Sequence, residues 1–387
     1  MHDLSKIIDR INTNSTKWSK YKDKNVIPLW VADMDFKTAP QITQAIMNKC
    51  EHGIFGYSDL TATVKPDIVN YLHQSFRWKI NPQNIKWLGG VHMGLNLISK
   101  IFVKPDESVI TFSPIYPPFL KIEQFTSRNL INLPLKYDQS NKKWLFDFDL
   151  LEQTLSNPGK LKPKLILLCN PHNPVGRVWT QAELNKLLEF AIKYNLLICS
   201  DEIHCDLILE PKLKHIPFAT LNDEAKMRTI TLMSPSKTYN IASLGCAFVV
   251  IENAELMQTY LNATNGLYAD LNELGLLACK VAYTKCEQWR QQVIAYLQDN
   301  KKMIDNALNG YTNITVHSPQ ATYLSWIDMR HLMLEKNITN PTEYLENYGI
   351  GLSNGADFGA PGFVRLNFAC AKDLLDQALK RFIKAIG

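Results

Sequence analysis

Lys237 follows a β-rich run, Thr231-Leu232-Met233-Ser234-Pro235-Ser236-Lys237-Thr238. An amine just past a buried strand is either solvated or partly desolvated. Desolvation lowers its pKa and frees it to form a Schiff base with a carbonyl group. The hydroxyls of Ser234 and Ser236 at the same turn suit a phosphate. A second run, Leu196-Leu197-Ile198-Cys199-Ser200-Asp201-Glu202-Ile203-His204, ends in two acids and an imidazole. A carboxylate at a strand end can hold a cationic ring nitrogen, cap a helix or join a metal. No H-E-x-x-H or other tight ligand spacing is present, so no metal site is expected. In Cys169-Asn170-Pro171-His172-Asn173-Pro174-Val175-Gly176, two Asn-Pro steps stiffen a loop and direct polar side chains toward a sheet edge. A plain tight connection is the alternative. Trp87-Leu88-Gly89-Gly90-Val91-His92-Met93-Gly94 precedes a helical run, and backbone N–H groups at such a helix start can cradle a phosphate, with a simple helix-start turn as the alternative. These glycines do not form G-x-G-x-x-G, so the dinucleotide fingerprint is lacking. Gly351-Leu352-Ser353-Asn354-Gly355 fits the nucleophile-elbow pattern, but the following Gly- and Pro-containing stretch cannot start a normal helix. The strand–turn–helix context of a serine hydrolase is missing.

The elements that must position these residues alternate in type. Residues 108–112, 165–169, 196–199 and 229–233 read as buried strands. Thr180-Gln181-Ala182-Glu183 is a capping-box pattern, followed by Leu184, Leu187, Leu188, Ala191 and Ile192 at helical spacing. Strand–helix–strand alternation predicts a mostly parallel sheet with helices on both faces and ligands beyond the carboxyl ends of the strands. The last hundred or so residues differ. Two strands, 324–327 and 364–367, flank a Gly-rich loop, and an amphipathic helix closes the chain through Leu374, Leu375, Ala378, Leu379, Phe382, Ile383 and Ile386. This pattern predicts a smaller α+β domain with its boundary near residue 280.

The 387 residues carry 46% hydrophobic and 20% charged side chains, which fits an ordinary globular protein and excludes fibrous and disordered classes. Lys and Arg number 42 and Asp and Glu 37, a net charge of +5 that gives no argument for nucleic acid. The eight cysteines form no C-x-x-C pair and several lie in apolar runs, so they read as small buried hydrophobes in a reducing compartment. Neither a signal-peptide h-region nor an apolar run long enough to span a membrane is present, and a cytoplasmic protein is expected.

Taken together, these segments resemble the fold-type I enzymes that use pyridoxal 5′-phosphate (PLP), within aminotransferase class I/II. More narrowly, the chain resembles the MalY/PatB group of cystathionine β-lyases, or C–S lyases. The stretches that carry the resemblance include residues 28–36, Gly53-Ile54-Phe55-Gly56-Tyr57, 170–179, 200–204, 234–238, 321–326 and Arg365-Leu366-Asn367. The resemblance implies a seven-stranded, mostly parallel large domain over 46–280 and a C-terminal domain over 281–387. A segment over 1–45 would pack on the active site.

It also implies roles. Lys237 would hold PLP covalently. Asp201 would keep the pyridine nitrogen protonated, so that the ring acts as an electron sink. Asn173 would hydrogen-bond the ring 3′-oxygen, with His204 nearby, and Tyr116 would stack on the ring. The phosphate would meet Ser234, Ser236 and the backbone of Gly90, Val91 and His92. Tyr57 would reach the phosphate of a partner subunit, implying a homodimer with shared sites. Arg365 would clamp the substrate α-carboxylate, with Tyr116 and Asn173 beside it. The implied reaction is α,β-elimination from cystathionine or an S-substituted cysteine, with Lys237 as the base, giving pyruvate, ammonia and a thiol. An aminotransferase on the same scaffold is the alternative, and an additional regulatory protein-binding role is a third reading. Gly245 stands eight residues after Lys237, where many aminotransferases of class I place an Arg, which favours the lyase. The phosphate loop and Ser243 depart from the family pattern.

Overall fold

The computed structural model describes residues 3–387. Seven strands form the main sheet, in the spatial order Ile85–Leu88, Ala247–Ile251, Thr229–Met233, Leu197–Asp201, Lys162–Cys169, Glu107–Ser113 and Asn129–Pro134. Ala247–Ile251 runs antiparallel to both of its neighbours, and every other pair is parallel. The inner strands are apolar because helices cover both faces. Thr229–Met233 and Ala247–Ile251 are buried at every residue.

The helix Gln181–Lys193 starts where the capping box places it. Thr180 Oγ1 accepts from Glu183 N, and Thr180 N donates to Glu183 Oε2 at 2.8 Å. Leu184, Leu187, Leu188 and Ala191 are buried as expected, whereas Ile192 is 42% exposed. Phe190 is buried as well, stacked on Phe148 with ring centroids 5.8 Å apart.

A second sheet, in the order Thr315–His317, Leu324–Asp328, Phe363–Asn367 and Ser353–Asn354, is antiparallel throughout and belongs to the smaller C-terminal domain. The closing helix Lys372–Ile386 buries Leu375, Ala378, Leu379, Phe382 and Ile386 against it. The strand Ile27–Pro28 pairs in parallel with Ile350–Gly351. Leu29, Met34 and Phe36 share one apolar core with Val364 and Leu366. The N-terminal segment is thereby stitched to the C-terminal domain and crosses the mouth of the site. Seven of the eight cysteines are buried and unpaired, and Cys50 is exposed. Among the described residues, no helix is long and apolar enough to cross a membrane.

Candidate active site

A cavity of about 670 Å³ opens beyond the carboxyl ends of the parallel strands, roofed by the C-terminal domain and by residues 30–32. Lys237, Asp201, Asn173, His204, Tyr116, Ser236, Gly90, Val91, His92 and Arg365 all line it. Parallel topology produces this convergence: each β-to-helix turn leaves its strand at the same edge.

Alternation at the end of Leu197–Asp201 separates Asp201 from the following Glu202. Asp201 faces the cavity. Glu202 turns into the protein, where its carboxylate accepts from Ser200 Oγ (2.8 Å) and Phe218 N (3.0 Å) and pairs with His215 Nε2 (2.7 Å). Among the described residues, the Asp201 carboxylate accepts only from Ile203 N, at 3.1 Å, and no cation pairs with it. Burial, with a smaller push from the charge of Glu202, raises its pKa to about 7. Lys237 donates from Nζ to Ala32 O at 2.8 Å. Burial, helped by the positive charge of Arg365, lowers its pKa to about 8.

Arg365 lies on an inner strand of the C-terminal sheet, in register with Trp326 on one side and Ser353 on the other. Its Nη1 donates to Asn173 Oδ1 at 3.1 Å. Its Nη2 donates to Trp30 O at 3.1 Å and to Ser353 Oγ at 3.3 Å. The guanidinium lies 4.6 Å over the Phe358 ring. No carboxylate pairs with it among the described residues, and burial pulls its pKa down to about 10. A buried guanidinium without a counter-ion calls for an anion, and its planar fork suits a carboxylate.

At the opposite end, Gly90 is the cap of the helix Val91–Phe102, and a Cβ built on Gly90 would meet nothing within 4 Å. Open space therefore stands before the backbone donors of a helix N-terminus, beside Ser236. His204 is buried with Nδ1 unpartnered, and burial, with Lys237 and Arg365 nearby, pushes its pKa down to about 3, so it is neutral. Burial also raises the Tyr116 pKa.

Two candidate residues lie outside this cavity. Ser234 Oγ donates to Cys246 O at 2.6 Å and accepts from Ser236 N at 3.1 Å, so it shapes the turn that presents Ser236. Tyr57 is fully exposed. In the sequence Ser353 stands out only as a formal nucleophile, yet its hydroxyl donates to Trp30 O (2.8 Å) and accepts from Arg365. No local signal marks Phe358 either. Tyr323 OH joins Lys237 on Ala32 O, at 3.0 Å, and Asn367 Nδ2 holds the carbonyls of Val31 and Asp33.

A free amine, a carboxylate lacking its cation, an unpaired guanidinium and an open helix N-terminus thus share one cavity. They match an aldehyde, a pyridinium, an amino-acid carboxylate and a phosphate, so the site fits PLP and an amino acid.

Comparisons with known proteins agree. Residues 24–382 match the family model of Aminotransferase class I and II. Cystathionine beta-lyase PatB of Bacillus subtilis (strain 168) is 32% identical over 389 residues, covering 98% of each chain. The crystal structure of OvoB superposes with a TM-score of 0.94 at 38% identity and 99% coverage of both chains. The PLP-bound C-S lyase from Staphylococcus hominis gives a TM-score of 0.91 at 28% identity, over 100% of this chain and 99% of that one. On the span matched and the full-length similarity, the chain belongs to the aminotransferase class I and II family.

Proposed function

We propose that the protein is a PLP-dependent C–S β-lyase that cleaves cystathionine or S-substituted cysteines to pyruvate, ammonia and a thiol. The observation that carries this reading is the meeting of Lys237, Asp201 and the unpaired Arg365 in one cavity. The full-length likeness to proteins named cystathionine beta-lyase and C-S lyase selects elimination over amino-group transfer.

Lys237 would hold the cofactor, with Asp201 at the ring nitrogen and Ser236, Gly90, Val91 and His92 at the phosphate. Bound PLP supplies an electron sink for the charge that develops at the substrate Cα. The chain supplies the rest. Arg365 takes the α-carboxylate, with Asn173 and Ser353 fixing the guanidinium plane. Phe358 and Tyr116 are apolar walls that keep water out. The Lys237 amine, with its lowered pKa, takes the Cα proton as general base at near-neutral pH. Loss of that proton drives out the thiolate at Cβ, breaking the C–S bond. Neutral His204 leaves the positive charge of the site to Lys237 and Arg365.

The site is completed in a homodimer, through Tyr57 of the partner chain. This reading is supported by a solvent-facing apolar run, Ile54, Phe55 and Tyr57. We place the domain boundary near residue 280. The helix Glu273–Lys285 packs on Pro40–His52 and Leu60–Phe76, while Glu287–Leu308 packs on the closing helix. The first 45 residues are the segment that closes the site.

The test incubates purified holoprotein with cystathionine and follows pyruvate and free thiol together. Equimolar pyruvate and thiol are expected. Oxo-acid formation that requires an added acceptor, without thiol, identifies a transaminase instead.

A further inference from the structure

A second cavity, of about 370 Å³, lies in the seam between the two domains and shares no lining residue with the active site. One wall is the hairpin that ends in Lys143–Leu145 together with residues 210–213. The other is formed by Lys301 of the helix Glu287–Leu308 and by His317 of the strand Thr315–His317.

Its charge is one-sided. Lys142, Lys143, Arg177, Lys212 and Lys301 line it, against the single carboxylate of Glu210. Arg177 is paired with Glu183, and Lys301 with Glu210. Lys142, Lys143 and Lys212 have no ion-pair partner among the described residues. Asp138, whose field reaches Lys143, is already bound by Ser140 and Asn141. Clustered like charges at one cavity repel, and an anion seated among them relieves that cost.

A second observation is independent of the lysines. Trp144 Nε1 and Arg177 Nε are buried donors without an acceptor, and neither group can do anything but donate. His317 is 6% exposed, and both of its ring nitrogens lack a partner. Its ring is fixed edge-on to Tyr137 at 4.5 Å and lies 5.4 Å from that of Trp144. Unsatisfied buried donors are uncommon in native proteins, and here they sit on residues that line one cavity. Each of these atoms has almost no accessible surface, so an anion in the cavity reaches them only as the wall between them opens. A tetrahedral oxyanion can accept from several such directions, whereas a carboxylate accepts within one plane.

We propose that this seam cavity binds a small phosphate-type polyanion, held by the exposed Lys142, Lys143 and Lys212, with the closed-off donors of Trp144, Arg177 and His317 opening to it on binding. A ligand there touches both domains at once, so it stabilises their packed arrangement in proportion to its occupancy. The proposal does not depend on the lyase reading.

The test uses PLP-saturated holoprotein, whose own phosphate cradle is filled, and inorganic pyrophosphate as the probe. Calorimetry at low salt is expected to show one saturable site per chain, with a matching rise in Tm. In the double variant Lys143→Gln/Lys212→Gln, affinity falls by about tenfold or more, since two charged contacts to a phosphate group are lost. Lys186→Gln, on the exposed face of another helix, leaves affinity unchanged. Trp144→Phe keeps an aromatic ring, removes one donor and weakens binding about threefold or more. No saturable binding, or binding that the double variant leaves intact, overturns the proposal.

Discussion

The Arg365 guanidinium donates to Asn173 Oδ1 at 3.1 Å and so joins an inner strand of the C-terminal sheet to the loop that follows Lys162–Cys169 in the main sheet. The same guanidinium holds Trp30 O of the N-terminal segment. Three parts of the chain, far apart in sequence, meet on one side chain, and any anion bound by Arg365 bears on all three.

Arg365→Lys keeps the charge and loses the fork. A lysine amine cannot hold Asn173, Trp30 and a carboxylate in one plane. The expected result is a loss in kcat/KM of roughly 100-fold, mainly through KM, with cofactor absorbance retained. Steady-state kinetics beside the absorption spectrum tests this; a variant with unchanged KM contradicts it.

Asp201→Asn carries a pH signature in the cofactor-free protein. The folded pKa of Asp201 is raised from 3.8 to about 7. Below pH ~4 its carboxyl is neutral in both the folded and unfolded states. Between these values the unfolded chain releases the proton first, so stability falls as pH rises, and the cost is complete above about pH 7. The Asn variant escapes this cost. It is expected to be more stable than the parent at pH 8, by up to about 4 kcal/mol, and equal to it near pH 4. Denaturant unfolding at pH 4, 6 and 8 measures the difference, and a constant offset would falsify the assignment. If Asp201 holds the ring nitrogen as proposed, holoprotein activity is expected to fall by roughly 100-fold or more, because the ring would lose its counter-ion.

Lys237 titrates near pH 8 in the cofactor-free protein, against ~10.4 for an ordinary lysine. Competitive acylation followed by peptide mass spectrometry should give half-maximal labelling of Lys237 near pH 8. Arg365→Ala removes the second cause of the shift and moves that midpoint upward. A midpoint above pH 10 in the parent protein excludes Lys237 as the base at neutral pH.

Gly176 occupies a left-handed backbone, at φ +67°, and a Cβ there would lie 2.4 Å from Pro319 Cβ. Its carbonyl accepts from Gln320 N and Ala321 N, binding the Asn173 loop to the C-terminal domain. Gly176→Ala is expected to cost about 2 kcal/mol or more in stability. Thermal unfolding reads this directly, and an unchanged Tm would show that the two segments part without cost.

Much of the frame was legible from residue order. The buried strands at 108–112, 165–169, 196–199 and 229–233, the Thr180 capping box and the closing helix rest on local periodicity and side-chain chemistry, which act within a few residues. The edge strand Asn129–Pro134 was not legible, because half-exposed positions and two Asn residues blur its pattern. Neither was the antiparallel course of Ala247–Ile251. No strand was expected over 247–251 at all, although its run is apolar, and its direction depends on where the chain re-enters the sheet.

The site divides the same way. Sequence determined which groups are present: a lysine and an acid at strand ends, an Asn-Pro loop and a distant arginine. Tertiary structure decided what each group became. Only burial among specific neighbours sets Asp201 near 7 and Lys237 near 8, since desolvation depends on the surrounding atoms. Only the strand register puts Ser353 beside Arg365 and sends Glu202 away from the cavity, toward His215. The lysines of the seam cavity are scattered from 142 to 301, and no pattern along the chain joins them. Packing of the two domains brought them together, because contacts between distant segments exist only in the folded chain.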